Sequence, residues 1–327
     1  MKSITKVDIP TNCEVVNDGK VQTHIKPRGS KRKERLAIYT DRISAGDERL
    51  PFAIIHKGKI LLWLTVFFKT MFSNIVENDI ISYDQEYAMA CGGINEARRK
   101  YRNRVLLIQE VTQIPVECIA RKYLVGSLFA EYTKDGLFTL GHRLSRNMKE
   151  YDKLEAAIFT PSIKNKEGHD VNITYDQMVV FLREWLAKKE NKHLKIDAQV
   201  LSQLLRSTTL AIFQAGSNFL SENGLILADW KGEFGLFVND QGEIILIWSD
   251  EGITPDTARI WLENSYGKRK IPLGLDKDAV RNWIKNHGGD RNVPLDVQMK
   301  TAKANMTFAE MVLPPEYLQK IYEEPAY

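Results

Sequence analysis

Between Leu225 and Trp248 the chain carries two runs with strand patterning, Leu225–Val238 and Glu243–Trp248. They are separated by Asn239, Asp240, Gln241 and Gly242, residues that favour a tight turn. A hairpin of this kind places its polar residues deliberately. Asp229, Lys231 and Glu233 are spaced by two and share one face of a strand, while Ile226, Ala228, Trp230 and Phe234 take the other. Setting Asn239 opposite Gly242 fixes a register that puts Lys231 opposite Asp250, with Glu233 one step along and Asp229 at the rim. Two hard carboxylates, Glu233 and Asp250, suit a magnesium ion that carries nucleotide phosphates. Lys231 supplies a positive point charge beside them. An exposed, self-neutralising ladder of ion pairs has the same spacing, so the hairpin alone leaves both readings open. Downstream, Thr254, Pro255 and Asp256 read as a helix start, with Arg259 in its first two turns. A helix N-terminus beside a carboxylate pair is a good anion site.

The rest of the chain predicts an α+β protein. Strand signals dominate the first third: Leu36–Thr40, then Arg104–Val111 and Val116–Ala120, with Pro115 interrupting between the last two. One helix is expected there, over Ile60–Val76. Helix signals dominate later. Tyr175–Lys189 carries Met178, Phe181, Leu182, Trp185 and Leu186 at helical spacing. Ala198–Glu222 carries Leu201, Leu204, Leu205, Ile212, Phe213 and Phe219, and Gly224 offers a stop. From His287 onward a loop and peripheral helices are expected. A soft boundary gives a smaller β-rich lobe over 1–114 and a larger lobe over 115–327. Apolar residues at 43% and charged residues at 27% are ordinary for a globular protein. The longest apolar run, Ile60–Phe68, is too short to span a bilayer, and no apolar signal core appears at the N-terminus, so a cytoplasmic protein without membrane contact is expected. Cys13, Cys91 and Cys118 show neither metal-ligand spacing nor a disulfide framework. The net charge of +4 owes much to Lys26, Arg28, Lys31, Arg32, Lys33 and Arg35. No aromatic residues interleave that cluster, so it reads as a solvated hairpin loop and not as a nucleic-acid surface. Oligomeric state has no signature in the sequence.

Seven segments, in chain order, resemble the SAICAR synthetase family. Residues 225–236 (LILADWKGEFGL) are similar to its LILADTKFEFGL, and 249–261 (SDEGITPDTARIW) to its DEVLTPDSSRFW. Residues 40–47 (TDRISAGD) look like TDRISAFD, and 56–60 (HKGKI) like the GKG stretch that follows it. Residues 115–127 (PVECIARKYLVGS) are similar to PVECVVRGYLAGS. Residues 159–164 (FTPSIK) with 168–170 (GHD) match FTPSTK and GHD, and 275–281 (LDKDAVR) resembles FDKQFVR. The resemblance implies two lobes with a kinase-like ATP cleft, and an ATP- and Mg2+-dependent ligase of purine biosynthesis. That enzyme phosphorylates the carboxylate of carboxyaminoimidazole ribotide, and the amino group of L-aspartate then attacks the acyl phosphate. By the same resemblance Glu233 and Asp250 contact magnesium and phosphates, and Lys164 helps hold ATP. Lys231 and Asp229 face the imidazole nucleotide and its reacting carboxylate. Arg121, Ser127, Arg259, Lys277 and Arg281 grip that nucleotide, largely at its ribose phosphate. Asp41, Arg42 and Ser44 lie near the aspartate site with Lys57 nearby, and His169 and Asp170 belong to a matched turn.

The sequence also departs from the family. The glycine hairpin over the ATP phosphates, typically GKVRDIY, has its counterpart in Gly19–His24 (GKVQTH), which keeps Lys20 but loses the arginine, aspartate and tyrosine. Gln109 stands where a lysine is common in the segment that meets adenine. Gly46, Val171, Trp230, Gly232 and Ala258 differ as well. A paralogue that uses a different carboxylate or amine, and a non-catalytic nucleotide-binding descendant, are the alternatives. The basic cluster supplies the nearest cations that could fold back as a lid over ATP.

Overall fold

The computed structural model describes residues 3–46, 48–94, 100–164, 170–269 and 271–323. In chain order, β1 (Cys13–Asp18), β2 (Gln22–Pro27) and β3 (Glu34–Tyr39) precede a small hairpin, β4 (Arg42–Ala45) and β5 (Glu48–Ala53), and helix α1 (Lys57–Met71). Short strands β6 (Glu77–Asn78) and β7 (Ile80–Ser82) and helix α2 (Gln85–Cys91) lead to β8 (Val105–Gln109) and the long β9 (Thr112–Tyr123). After α3 (Gly126–Asp135) come β10 (Phe138–Thr139), β11 (His142–Arg143), β12 (Lys153–Phe159), β13 (Ser162–Ile163) and β14 (Val171–Asn172). Helices α4 (Tyr175–Ala187) and α5 (Ala198–Glu222) precede β15 (Leu225–Val238), β16 (Ile244–Ser249) and β17 (Ala258–Leu262). Helices α6 (Asp278–Asn286), α7 (Leu295–Val312) and α8 (Pro315–Tyr322) follow.

Two sheets face the cleft described below. A five-stranded sheet runs β1-β2-β3-β8-β7. An eight-stranded sheet runs β14-β13-β9-β15-β16-β6, with β12 also on β9 and β17 also on β15. Their pairings are antiparallel except β16 with β6. That pattern makes the protein α+β, with no doubly wound parallel sheet among the described residues.

Local chemistry accounts for the elements that support the large sheet. The Asp197 carboxylate caps α5 by accepting from Gln199 N and Val200 N, and a Thr174–Gln177 capping box starts α4. The α5 stripe Leu201, Leu205, Ile212 and Phe213 is buried against the sheet, in one core with Met178, Leu182, Trp230 and Phe234. Gly224, at φ +70, then turns the chain into β15.

Two sequence expectations need correcting. Pro115 does not interrupt a strand: β9 runs through it, and the boundary expected after residue 114 falls inside β9. The register against β15 slips there, from Glu233↔Glu117 to Gly235↔Gln113, and a β-bulge tolerates proline's missing N–H. The C-terminal helices are not peripheral. Phe308, Ala309, Val312 and Ile321 are buried in the main core. Trp63 of α1 stacks on Tyr317 of α8 with centroids 5.3 Å apart, and Lys59 Nζ donates to Ile321 O at 3.2 Å. No helix among the described residues is long and apolar enough to cross a membrane.

Candidate active site

Strand β15 has β9 along one edge, from Asp229↔Arg121 to Leu236↔Thr112. Its other edge has two partners: β17 pairs with residues from Leu225 to Trp230, and β16 with those from Glu233 to Val238. Lys231 and Gly232 fall in the gap, and the Lys231 N–H donates instead to Thr257 O at 2.8 Å. The turn from Asp250 to Thr257 fills the opening. A sheet that changes partner in mid-strand makes a crevice, and this one collects the charged side chains.

The resulting cleft has a volume of about 490 Å3 and lies between the two sheets. Gly19, Lys20, Gln22, His24 and Arg35 line it from the smaller sheet. Glu117, Lys164, Lys231, Glu233 and Asp250 line it from the larger one, with Glu251, Asp256 and Lys277 beside them. Glu233 is ion-paired with Lys164 and accepts from Gln113 Nε2 at 3.3 Å. Lys231 is ion-paired with Glu117. Burial opposes charge at every one of these groups, and the neighbours decide the outcome. Burial and then the Glu233 charge push the Asp250 carboxyl up to about 6. Burial, Asp256 and Asp250 push Glu251 up to about 7. For Glu233 burial is outweighed by Lys164 and Lys231, which hold its carboxyl below the usual range. For Lys231 burial is outweighed by Glu117 and Glu233, and its ammonium is held on more firmly. Burial lowers Lys277 to about 8 despite Asp256.

A second, guanidinium-rich group lies beside the first. Arg121 donates to Asp229 Oδ2 at 3.1 Å, to Ser127 Oγ at 2.9 Å and to Thr160 Oγ1 at 2.9 Å. Arg259 pairs with the same Asp229 and reaches Asp278 at 3.7 Å, and Arg281 bonds Asp278 at 3.0 Å and Asp276 at 3.3 Å. Burial and then Asp278 push the Asp276 carboxyl well above its usual range, against the pull of Arg281 and Arg259. Gly126 makes room for the Arg259 guanidinium: a Cβ there would lie 2.5 Å from Nη2. Lys277 bridges the two groups through Asp256, 3.8 Å away.

The geometry corrects the expected hairpin register, the helix expected at Thr254 and the rim position of Asp229, and it gives the other residues singled out in the sequence their surroundings. The hairpin register is shifted by one, so Glu233 faces Ser249 and Lys231 faces no residue of β16. Asp250 still enters the cleft because it follows the end of β16 and adopts φ +59, which turns it out of the strand. Thr254 caps a single turn by accepting from Asp256 N and Thr257 N, and Arg259 lies on β17 and not on a helix. Asp229 is buried between two guanidinia and not at a rim. Asp41 does not line the cleft: its carboxylate takes two bonds from Arg104, at 2.8 and 3.1 Å, and one each from Gly58 N and Ile4 N. Arg42 is held by Asp18 and Thr23, and Lys57 is buried against Asp256 at 2.6 Å. Gln109 donates its side chain to Lys33 O and Glu110 O and is not itself a lining residue, though its N–H donates to Asp79 O, which is one. Ser44, Lys20 and Asp170 do line the cleft, whereas His169 lies outside the described residues. Of the basic cluster, Arg35 alone is a lining residue.

The sequence reading missed Glu117, Gln22, His24, Glu251 and Asp256. Glu117 was within reach: it shares a face of β9 with Ile119 and Arg121, which pair with Lys231 and Asp229 as Glu117 does with Glu233.

Comparison with known proteins gives one answer. The model of the family described as SAICAR synthetase matches residues 15–295. The phosphoribosylaminoimidazole-succinocarboxamide synthase of Maridesulfovibrio salexigens is 34% identical over 281 residues, 84% of each chain. That of Thermodesulfovibrio yellowstonii is 35% identical over 231 residues, 70% of this chain and 71% of its own. The solved SAICAR synthase of Saccharomyces cerevisiae complexed with SAICAR superposes with a TM-score of 0.76 at 27% identity, covering 95% of this chain and 98% of that one. A split β-sheet that gathers carboxylates, lysines and arginines in the segments that matched by sequence thus agrees with likeness over most of the length: the chain belongs to the SAICAR synthetase family.

Proposed function

We propose that this protein is an ATP- and Mg2+-dependent carbon–nitrogen ligase that joins L-aspartate to the carboxylate of carboxyaminoimidazole ribotide through an acyl phosphate. The observation that carries the proposal is the pair of adjacent anion sites of different chemistry, carboxylate–lysine in the cleft and guanidinium-rich beside it. Such a reaction has two phosphate-bearing substrates that must be held apart and in line. Glu233 and Asp250 suit a magnesium ion: both are hard oxygen donors, and the Asp250 carboxyl, raised by burial and then by the Glu233 charge, is a group whose ionised form a divalent cation would favour. Among the described residues no three acidic, histidine or cysteine side chains form a metal cluster, so phosphate oxygens and water would complete the shell. Bound there, the ion would neutralise charge on the phosphates.

The chain's own groups then have the following roles. Lys164 leaves Glu233 for a phosphate oxygen, and Lys20 approaches from the β1–β2 turn. Lys231, held by Glu117, presents fixed positive charge where the carboxylate oxygen attacks the terminal phosphorus and ADP departs. The aspartate amino group next attacks the acyl carbon, phosphate leaves, and the surplus proton passes to solvent. Arg121, Arg259 and Arg281, with Ser127 and Lys277, hold the ribose phosphate. Asp229 and Asp278 keep the guanidinia aligned before the ligand arrives, so Asp229 is a positioning residue.

Release of ADP in the presence of the imidazole ribotide, measured with and without aspartate and with product mass, tests the reading. Expected is aspartate-dependent ADP release matched by SAICAR formation; turnover with a different amine and none with aspartate would overturn it. Arg259→Ala is expected to raise the half-saturating ribotide concentration about 10- to 100-fold, the loss of a charge-assisted contact. The value for ATP should move little. Equal shifts in both would assign Arg259 to the fold.

A further inference from the structure

Gln22 and His24 share a face of β2, and both line the cleft. Gln22 Nε2 donates to Asp250 Oδ1 at 3.1 Å, and Gln22 Oε1 meets His24 Nε2 at 2.9 Å. A carboxylate only accepts, so Asp250 fixes the amide with its nitrogen toward the carboxylate and its oxygen toward the imidazole. An amide oxygen cannot donate, so the His24 proton resides on Nε2 and Nδ1 is a bare acceptor. That Nδ1 is buried and has no partner among the described residues, in a side chain on a residue only 6% exposed. Burial, with Arg35 nearby, lowers the imidazole to about 3, so a second proton does not occupy Nδ1 at neutral pH. An unmet buried acceptor is costly, and in a side chain that lines the cleft a small turn of the ring brings it within reach of a donor on the ligand.

We infer that His24 Nδ1 accepts a hydrogen bond from a ribose hydroxyl of the bound nucleotide, which makes His24 a specificity residue. The inference rests on the reading of this cleft as the ATP site. Position favours the ribose. Gln22 touches Asp250 at the phosphate end, and His24 lies two residues further along the same face, about 7 Å away. Ionised phosphate oxygens have no proton to donate. Ile108, which pairs with Arg35 across β3 and β8, continues the lining with an apolar surface for the base.

The test is calorimetric binding of ATP, 2′-deoxy-ATP, 3′-deoxy-ATP and ITP to the full chain and to His24→Ile, a strand former of similar volume. Wild type is expected to bind one deoxy analogue about 10- to 100-fold more weakly than ATP. His24→Ile should bind ATP with the same loss and no longer distinguish it from that analogue. An unchanged ratio in the variant, or wild-type affinity indifferent to both hydroxyls, overturns the inference, and the second outcome needs no folded variant. Loss of ATP-over-ITP discrimination in His24→Ile would instead assign the donor to the base and also overturn it. Absence of ATP binding to wild type would sink the nucleotide reading itself, a separate result.

Discussion

Asp250→Asn is expected to yield a protein that melts higher and barely turns over. The sign follows from the carboxyl's shift. Its value rises from 3.8 to about 6 in the folded chain, so folding disfavours the ionised form. The folded state therefore loses stability as pH rises from the lower value through the upper one, and at neutral pH the full cost is present. Asparagine carries no charge, and its Oδ1 can still accept from Gln22. The melting temperature without ligands should rise by about 2–4 °C for each kcal/mol recovered. The advantage over wild type should shrink as pH falls from about 6 towards 3.8. Turnover at saturating Mg2+ should fall about 100- to 1,000-fold, because the variant lacks one of two anionic oxygen donors. Scanning calorimetry beside a turnover assay checks both. A fall in melting temperature with activity preserved would make Asp250 a residue of the fold.

Gly232→Phe should unfold the protein or aggregate it, although phenylalanine stands there in the family segment that residues 225–236 resemble. The cause is Trp230, which stands where that segment has threonine. Its indole is fully buried, packs edge-on to Trp248 at 5.4 Å and donates to Gly252 O at 3.3 Å. Its six-membered ring lies where a side chain at 232 would begin: a Cβ would come within 2.6 Å of Cη2 and 2.8 Å of Cζ2. Two residues apart on one strand face, a large and a missing side chain fill one space. Overpacking of this kind costs about 3 kcal/mol or more. Trp230→Thr alone leaves a cavity and should cost about 3–5 kcal/mol. Trp230→Thr with Gly232→Phe should recover most of both losses, a strongly non-additive cycle readable by urea denaturation. Additive losses would show that the two positions do not share the space.

Where a signal was strictly local, the sequence was a good guide. Helix α5 and strand β15 have the bounds expected from the periodicity of Leu201 to Phe219 and from the alternation around Asp229. The register of the β15–β16 hairpin was not legible because Asn239 has two ways to turn. Its Oδ1 accepts from Gln241 N and Glu243 N, its own N–H donates to Glu243 O, and Gly242 takes φ +82. That geometry is a three-residue loop closed by a left-handed glycine, one residue longer than the turn expected. At Thr254 the capping signals are the same for one turn as for a helix. The outcome is decided by Ala258–Leu262 finding an edge of β15, a contact between residues distant in sequence. His24 and Gln22 escaped notice for the same reason: what defines them is Asp250, 228 positions from Gln22.

The stacking of Trp63 on Tyr317 and the bond from Lys59 to Ile321 O, 262 positions apart, bear on how the chain is made. Helix α1 emerges from the ribosome early, and part of its cover is among the last residues described here. At about 5–20 residues per second, tens of seconds separate the two. Throughout that interval Trp63 lacks Tyr317 beside it, and the Lys59 ammonium lacks the carbonyl of α8. The packing of α1 is therefore completed only once α8 has been made. A pause engineered into the middle of the chain lengthens that interval and should increase aggregation of the newborn protein without altering the finished one.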